Sequence, residues 1–150
     1  MVVRPATYED AESVFEMLGD FATSYVPERA AFDRWYPTIV ARQEGELLVA
    51  EDDRGVVGYI LAADMATLFA NGPVTELLEL YVKPLSRGEG IGKSLVGRAV
   101  AGAGQRGAVE VTAPTRRARD FYLALGFEST AEYFKLRPEH PGLGSIGGGE

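Results

Sequence analysis

Apolar residues recur with a helical period near the start of the chain. Residues 2–7 predict a short strand, and the helix that follows is expected to begin at Thr7 or Asp10, because both residue types are favourable N-caps. Its apolar positions are Ala11, Val14, Phe15, Leu18 and Phe21. A second helix is predicted over residues 28–42, with a kink or a division into two shorter helices at Pro37, since proline lacks the N–H that a helix interior uses.

Strands predominate in the middle of the sequence. Apolar runs over 46–50 and 56–63 flank a turn and predict a hairpin, and a third strand is predicted over 74–82. The remaining predicted elements are a helix over 91–104, a strand over 108–113, a helix over 115–125 and one or two strands over 127–136. Because a helix connects the strands at 74–82 and 108–113, those strands should be parallel, which gives a mixed central sheet in an α/β (α+β) fold.

Length and composition limit the kinds of site that the chain can hold. Its 150 residues suit a single domain, expected over 1–137, followed by a flexible glycine-rich tail over 138–150. With no cysteine and one histidine, His140, the sequence excludes thiol catalysis and predicts no metal centre. No apolar run approaches the roughly 20 residues of a membrane span, and no secretory leader is visible. We therefore expect a cytoplasmic protein with no membrane partner.

The formal charge of −7 argues against nucleic acid as a partner, because binding a phosphate backbone needs a basic surface. The charge is unevenly distributed along the chain. Residues 1–82 hold 15 acidic and 5 basic residues, whereas residues 83–119 hold 8 basic and 2 acidic ones. A segment with a net charge of 8 − 2 = +6 therefore lies inside an acidic chain.

A glycine-rich turn lies within this basic segment, between the strand that ends at Val82 and the helix that begins at Ile91. Its glycines are Gly88, Gly90 and Gly92. Glycine lets the backbone approach a ligand and adopt positive φ, and the amides at a helix N-terminus attract an anion. Side chains that can also reach an anion are Arg87, Lys93 and Ser94. The turn predicts a pyrophosphate site, although its spacing fits neither a Walker A loop nor a Rossmann fingerprint.

Three stretches of the sequence resemble the GNAT superfamily of N-acetyltransferases. The turn R-x-x-G-x-G, after LELYVKP and before IGKSLVGRAV, resembles that family's acetyl-CoA pyrophosphate loop. The opening VVRPATYEDAESVFEML resembles its first strand and helix, and ARDFYLALGF resembles its last helix. The resemblance covers residues 2–137 and implies a single-domain GNAT-like fold. In that fold the parallel fourth and fifth strands are splayed apart by a bulge, and helices cover both faces of the sheet.

The resemblance also implies where acetyl-CoA, the acyl donor, would bind. The pyrophosphate would lie on the glycine-rich turn, and the pantetheine arm would pair with the backbone of Leu80 and Val82. The residues expected to contact this cosubstrate are Leu80, Tyr81, Val82, Arg87, Gly88, Gly90, Ile91, Gly92, Lys93 and Ser94. Thr115 stands where many relatives carry an asparagine that bonds the pantetheine, so a hydroxyl replaces an amide at this contact.

Candidate acid and base residues follow from the same resemblance. Tyr122 matches the tyrosine that gives a proton to the departing thiolate. Acyl transfer to an amine also needs a base, and three glutamates in predicted strands are candidates: Glu76, Glu79 and Glu110. Either of the two in the strand over 74–82 is preferred to Glu110.

The acceptor is expected to be a small-molecule or peptide amine, and the acidic first 82 residues favour a cationic one. Aromatic residues that are candidates for its pocket are Tyr25, Phe32, Trp35 and Tyr36, for which packing in the core is the alternative. The sequence does not determine the oligomeric state, and a homodimer is one of the alternatives. A non-catalytic acyl-CoA-binding or regulatory domain of the same fold is the alternative function, because of Thr115 and the unassigned base.

Overall fold

The computed structural model describes residues 1–22 and 24–139. Its strands are β1 (Val2–Pro5), β2 (Gly45–Asp52), β3 (Gly55–Met65), β4 (Val74–Val82) and β5 (Glu110–Thr112). Its helices are α1 (Ala11–Phe21), α2 (Arg29–Ala41), α3 (Ile91–Gln105) and α4 (Arg119–Ala124). The five strands form one sheet in the order β1-β2-β3-β4-β5. Neighbouring strands are antiparallel up to β4, and β4 and β5 are parallel, so the predicted mixed sheet is confirmed.

Helices pack on both faces of this sheet. On one face, α1 and α2 contribute Val14, Met17 and Tyr36 to an apolar cluster. The sheet residues in that cluster are Leu47, Val49, Tyr59, Leu61 and Tyr81. Since neighbouring residues of a strand point to opposite faces, Leu48 and Ile60 belong to the other face, where both are fully buried. Helix α3 covers that face.

The first helix begins at the predicted residues. A 3-10 turn spans Tyr8–Asp10, with Thr7 as its N-cap, and continues into α1. The Asp10 carboxylate accepts a hydrogen bond from the Thr7 amide at 2.8 Å and two from the Arg4 guanidinium at 2.8 and 2.9 Å. The hydrogen bonds from Arg4 lower the pKa of Asp10 below its ordinary value. This ion pair ties β1 to the start of α1.

Helix α2 runs through Pro37 as one helix, so of the two predicted alternatives, a kink or a division into two shorter helices, the division is wrong. The missing hydrogen bond is the one that an N–H at this position would give to the carbonyl of Asp33. Both residues lie on the exposed side of the helix, where water can satisfy that carbonyl. On the inner side, the rings of Phe32 and Tyr36 stack at a centroid distance of 4.9 Å, and this packing stabilises the helix across the proline.

The chain divides into two compact units, Met1–Thr115 and a second unit that begins at Arg116. Helix α4 begins at Arg119 with Ala118 as its N-cap, so it is shorter than the predicted helix over 115–125, and Thr115 does not cap it. The helix stops before Gly126, which adopts a φ of +96°.

The strands predicted over 127–136 are not formed. This segment lies outside the five-stranded sheet, and its large apolar side chains Tyr133 and Phe134 are 71% and 85% exposed. Alternation of apolar residues is a local pattern, and it does not by itself supply the partner strand that pairing needs. His140 and residues 140–150 of the predicted tail lie outside the described residues.

Candidate functional site

A β-bulge in β4 brings two of the three candidate bases to one face of the sheet. In the register with β3, Leu61 pairs with Glu79 and the next residue of β3 pairs with Leu77, so Leu78 is the extra residue. In a regular strand, residues three positions apart point to opposite faces. With the bulge, Glu76 and Glu79 both point to the face that α1 and α2 cover. The bulge that the resemblance implied is therefore present.

Glu79 lies in surroundings that favour its protonated form. Its Oε1 accepts a hydrogen bond from the Tyr59 hydroxyl at 2.9 Å. Burial raises the pKa of Glu79 above its ordinary 4.5, and the hydrogen bond from Tyr59 opposes this with a smaller effect. Burial also raises the pKa of Tyr59, so its hydroxyl stays protonated and acts as the donor. A carboxylate of raised pKa is suited to take a proton near neutral pH.

Glu79 also lines a cavity of about 230 Å³ between the sheet and helices α1 and α2. Most of its walls are apolar side chains, such as Leu18, Ile39 and Leu61. Of the aromatic residues predicted for an acceptor pocket, Phe32, Trp35 and Tyr36 line it. Tyr25 is 60% exposed and is not among the lining residues that the structure describes. The cavity thus places the Glu79 carboxylate among apolar side chains.

Beyond Glu76, β4 extends past the end of its neighbour β5. The register between the two strands ends where Glu76 pairs with Thr112, which leaves Leu77–Val82 without a β5 partner among the described residues. The two strands therefore separate along the second half of β4, as the resemblance implied.

Backbone groups of β4 point toward the edge that β5 leaves. The Lys83 amide donates to the Val57 carbonyl at 2.8 Å, so these two residues form a hydrogen-bonded pair. Along an antiparallel ladder, hydrogen-bonded pairs alternate with pairs that are not hydrogen-bonded. In this alternation Tyr81 exchanges hydrogen bonds with β3, whereas the N–H and C=O groups of Leu80 and Val82 point away from β3. Leu80 and Val82 are thus the residues at which an extended ligand can pair with the strand.

The glycine-rich turn has a backbone geometry that can hold an anion. Gly88 and Gly90 both have a φ of +81°, in the left-handed region where a side chain is strained. A Cβ atom at either position would meet nothing within 4 Å, so the space beside both glycines is open. The first hydrogen bond of α3 runs from the Ser94 amide to the Gly90 carbonyl at 3.0 Å. The amides of residues 91–93 therefore precede the helical ladder, and they fit a diphosphate.

Arg87 turns back onto β4 in this structure. Its Nε donates to the Val82 carbonyl at 2.9 Å, and its guanidinium lies 5.4 Å from the centroid of the Tyr81 ring. The Val82 carbonyl is thereby engaged, while Arg87 itself is exposed. Lys93 is exposed at the same end of α3, and Ser94 is half-buried there.

Arg54, in the turn between β2 and β3, takes part in the site although it was not among the predicted site residues. Its guanidinium donates to Glu89 Oε2 at 2.7 Å and to Asp52. Glu89 is the acidic residue inside the glycine-rich turn. The hairpin therefore neutralises a carboxylate next to the proposed anion cradle. Because 35 positions separate Arg54 and Glu89, local sequence patterns carry no sign of this contact.

Tyr122 lies in the second unit, on α4. Its ring contacts those of Phe121 and Phe127, each at a centroid distance of 5.1 Å, and burial raises its pKa. The hydroxyl therefore stays protonated near neutral pH, as a proton donor requires. In the first unit, Glu110 and Thr115 are exposed, Glu110 at the start of β5.

Within 1–22 and 24–139, no three His, Asp or Glu side chains are grouped so that they could hold a metal ion. The helices of the same residues include none with the length and hydropathy to cross a bilayer.

Known proteins similar to this chain share its fold. Residues 43–129 match the family of GNAT acetyltransferase domains. The chain is 30% identical to an uncharacterized N-acetyltransferase of Methanocaldococcus jannaschii, over 81% of this chain and 61% of that protein. It is also 30% identical to an uncharacterized N-acetyltransferase of Archaeoglobus fulgidus, over 85% and 83%. The chain thus spans less than two thirds of the first relative and most of the second.

Solved structures give the same picture. A transcriptional regulator from Bacillus halodurans superposes with a TM-score of 0.81 and 26% identity, over 91% of this chain and 98% of that one. An aminoglycoside N-acetyltransferase in complex with CoA superposes with a TM-score of 0.81 and 18% identity, over 93% and 95%. The second likeness is one of fold alone.

Proposed function

Because this chain belongs to the GNAT acetyltransferase family, we propose that it transfers an acetyl group from acetyl-CoA to a primary amine while both substrates are bound. The observation that carries the proposal is Glu79, a carboxylate of raised pKa that lines an apolar cavity. It stands on β4, the strand that leads into the glycine-rich turn. The candidate base is thus on the strand that precedes the glycine-rich turn. Acyl transfer from a CoA thioester to an amine needs both a base and a site for the CoA pyrophosphate.

The first unit offers a continuous path for the donor. The amides at the start of α3, with Gly88 and Gly90, would hold the pyrophosphate. The outward backbone groups of Leu80 and the outward N–H of Val82 would pair with the pantetheine arm, while Arg87 holds the Val82 carbonyl. Arg87 and Lys93 are exposed near this turn and add positive charge.

The chemical step divides between two side chains. When bound, acetyl-CoA supplies a thioester carbonyl as the electrophile. Glu79 takes a proton from the acceptor's ammonium group, and the nitrogen lone pair then forms the N–C bond as the C–S bond breaks. Tyr122 gives its proton to the departing sulfur, and the nitrogen of the new amide loses its second proton to solvent. Proton exchange with solvent then returns Tyr122 to its protonated form and Glu79 to its carboxylate form. A cysteine acyl-enzyme has no place in this scheme, because the chain has no cysteine.

Glu79 is the base that we favour among the three candidates. Glu76 shares its face of the sheet and is the second candidate. Glu110 is exposed at the start of β5 and is not among the residues that line the cavity.

Release of free thiol from acetyl-CoA in the presence of amines tests the proposal. Wild-type protein should release thiol only when an acceptable amine is present. Tyr122→Phe should lower kcat by about 100-fold. Tyr8→Phe is the matched control, because Tyr8 is an exposed tyrosine in the first unit, and it should retain full activity. Equal activity of the two variants would remove Tyr122 from the chemistry.

Binding of CoA, measured by calorimetry, tests the cradle separately. Gly90→Asp and Gly90→Asn are nearly isosteric, and both place a side chain at the same positive φ, which Asn and Asp tolerate better than other residues. The aspartate adds a negative charge where the pyrophosphate would lie, so it should weaken binding at least about tenfold more than asparagine does. Equal dissociation constants for the two variants would place the pyrophosphate elsewhere.

A regulatory, non-catalytic domain is the second candidate function, favoured by the name of the Bacillus halodurans protein, a transcriptional regulator. The same two assays separate the candidates. CoA binding that responds to Gly90→Asp, without thiol release for any amine, would support the regulatory domain. Failure to bind CoA would contradict both.

A further inference from the structure

We propose that the acceptor is a small monoamine with an aliphatic or aromatic body, and that this body occupies the cavity between the sheet and helices α1 and α2. The inference rests on the proposed function and names the substrate class of the same site. Its basis is the chemistry of the cavity walls, the volume they enclose and the charges beside them.

The walls provide hydrophobic contact and few hydrogen-bonding groups. Val14, Phe32 and Leu61 represent the apolar side chains that face the space from α1, α2 and the sheet. Tyr36 also lines the cavity, but its hydroxyl donates to the Thr7 carbonyl at 2.7 Å and so is already used. A substrate rich in hydroxyl groups, such as a sugar, would lose its hydrogen bonds to water and find few replacements here.

Two carboxylates mark where a positive charge can be accepted. Glu79 is half-buried at the sheet, and Glu28 lies on the exposed segment just before α2. Tyr59 also lines the cavity, and its hydroxyl donates a hydrogen bond to Glu79 at 2.9 Å. Inside the cavity one ammonium group can therefore meet Glu79. Glu28 is exposed, so it can pair only with a charge that stays in solvent, where pairing contributes little. Further charges inside the cavity would lie against apolar side chains at a high desolvation cost. This favours a monoamine over a polyamine.

The volume limits the size of the acceptor. A cavity of about 230 Å³ is smaller than the roughly 300–1,000 Å³ that pockets for drug-sized ligands occupy. An amine with a short alkyl chain or a single ring would be buried in it, whereas most of a molecule with several sugar rings would stay outside it in solvent. Trp35 lines the cavity while 54% exposed, so the opening is on its side.

A homologous series of straight-chain primary amines tests this assignment by thiol release from acetyl-CoA. If the chain enters an apolar cavity, kcat/KM should rise about fourfold for each added methylene until the space is filled. Spermidine and an aminoglycoside, which carry further charges or hydroxyl groups, should have lower kcat/KM than the best monoamine. An amino-acid amide with a polar side chain serves as the peptide-like comparison and should also be poorer.

Two neighbouring alanines in α2 provide a matched pair of variants. Ala31 lines the cavity and Ala30 does not, and both are exposed, so leucine at either position preserves the helix. Ala31→Leu should raise KM for the longest accepted amine at least about tenfold and leave KM for the shortest nearly unchanged. Ala30→Leu should change neither value. The dissociation constant of CoA should be the same in both variants, since the substituted residues lie away from the glycine-rich turn.

The outcomes separate this inference from the function on which it rests. Thiol release that is fastest with spermidine or the aminoglycoside, or equal effects of the two leucine variants, would overturn the monoamine assignment while the acetyltransferase proposal stands. Absence of thiol release for every amine would instead contradict the proposed function.

Discussion

Glu76 and Glu79 point to the same face of the sheet although they are three residues apart, because Leu78 bulges out of β4. After the bulge, each side chain of β4 points to the face opposite to the one that regular alternation from Glu76 would give it. The bulge also coincides with the point where β5 stops pairing, so the change of direction and the separation of the strands occur together. A base and an open strand edge are thereby brought close to each other.

Substitution of the two glutamates should separate their roles. Glu79→Gln should reduce kcat by about 100-fold, because glutamine keeps the size of the side chain and cannot take the proton. Glu76→Gln is the matched control on the same strand and the same face, and it should change kcat less than about threefold. Steady-state kinetics with a saturating monoamine would measure both values. A larger loss for Glu76→Gln than for Glu79→Gln would exchange the two assignments.

The Tyr59 hydroxyl should tune the pH dependence through Glu79. The hydrogen bond from Tyr59 stabilises the charged carboxylate and so lowers its pKa, against the larger effect of burial. Tyr59→Phe removes the donor, so the pKa of Glu79 should rise and the acidic limb of the profile of kcat against pH should move to higher pH. Tyr8→Phe should leave the limb in place. A shift toward lower pH in Tyr59→Phe would contradict the assignment of Glu79 as the titrating base.

Sequence patterns were most reliable where the signal is local. The bounds of β4 were predicted as 74–82 and observed as Val74–Val82, because Pro73 and Pro84 flank a run that is rich in leucine and valine. The start of α3 at Ile91 follows from Gly90, whose left-handed conformation precedes the helix. The last predicted strands failed because alternation is also local, whereas a strand requires a partner that the pattern does not show.

The features that make the site depend on register. The four residues from Glu76 to Glu79 have the order Glu-Leu-Leu-Glu. This pattern is equally compatible with either leucine pointing toward the core. Only pairing with β3 decides that Leu78 is the bulged residue. The contact of Tyr59 with Glu79 spans 20 positions and follows from the same register. Neither the base nor its partner could be chosen from periodicity alone.

Arg54 should support CoA binding without contacting the donor. Its guanidinium neutralises Glu89 in the glycine-rich turn, so Arg54→Gln leaves a carboxylate beside the pyrophosphate. The dissociation constant of CoA should rise about threefold, a small change because the pair is exposed and screened by salt. The double variant Arg54→Gln with Glu89→Gln should recover wild-type affinity, since the repelling charge is then absent. Arg34→Gln, at another exposed arginine, is the control.

Recovery in the double variant distinguishes charge from shape. If Arg54 acted only by holding the turn in place, removing Glu89 as well would leave the affinity low. A weakened double variant would therefore contradict the electrostatic role and assign Arg54 to positioning of the loop.

An ion pair on the α3 side of the sheet should make the stability of the fold depend on acid pH. Arg106 donates to Asp64 at 2.7 and 3.0 Å, and the Thr75 hydroxyl donates to the same carboxylate at 2.6 Å. These hydrogen bonds, that of Arg106 foremost, lower the pKa of Asp64 below its ordinary 3.8. The stabilisation is thus fully present above that value and is lost as the pH falls through the lowered pKa.

Asp64→Asn should therefore lower the free energy of unfolding by about 2 kcal/mol at neutral pH, because hydrogen bonds to a charged group are replaced by weaker ones. The difference from wild type should shrink at a strongly acidic pH, well below 3.8, as the wild-type carboxyl becomes protonated as well. Urea denaturation at the two pH values measures both quantities, and Asp53→Asn in the exposed hairpin turn should have no effect at either. A deficit of the same size at both pH values would mean that the charge of Asp64 does not contribute, and that the amide fails to fit between Arg106 and Thr75 for reasons of shape.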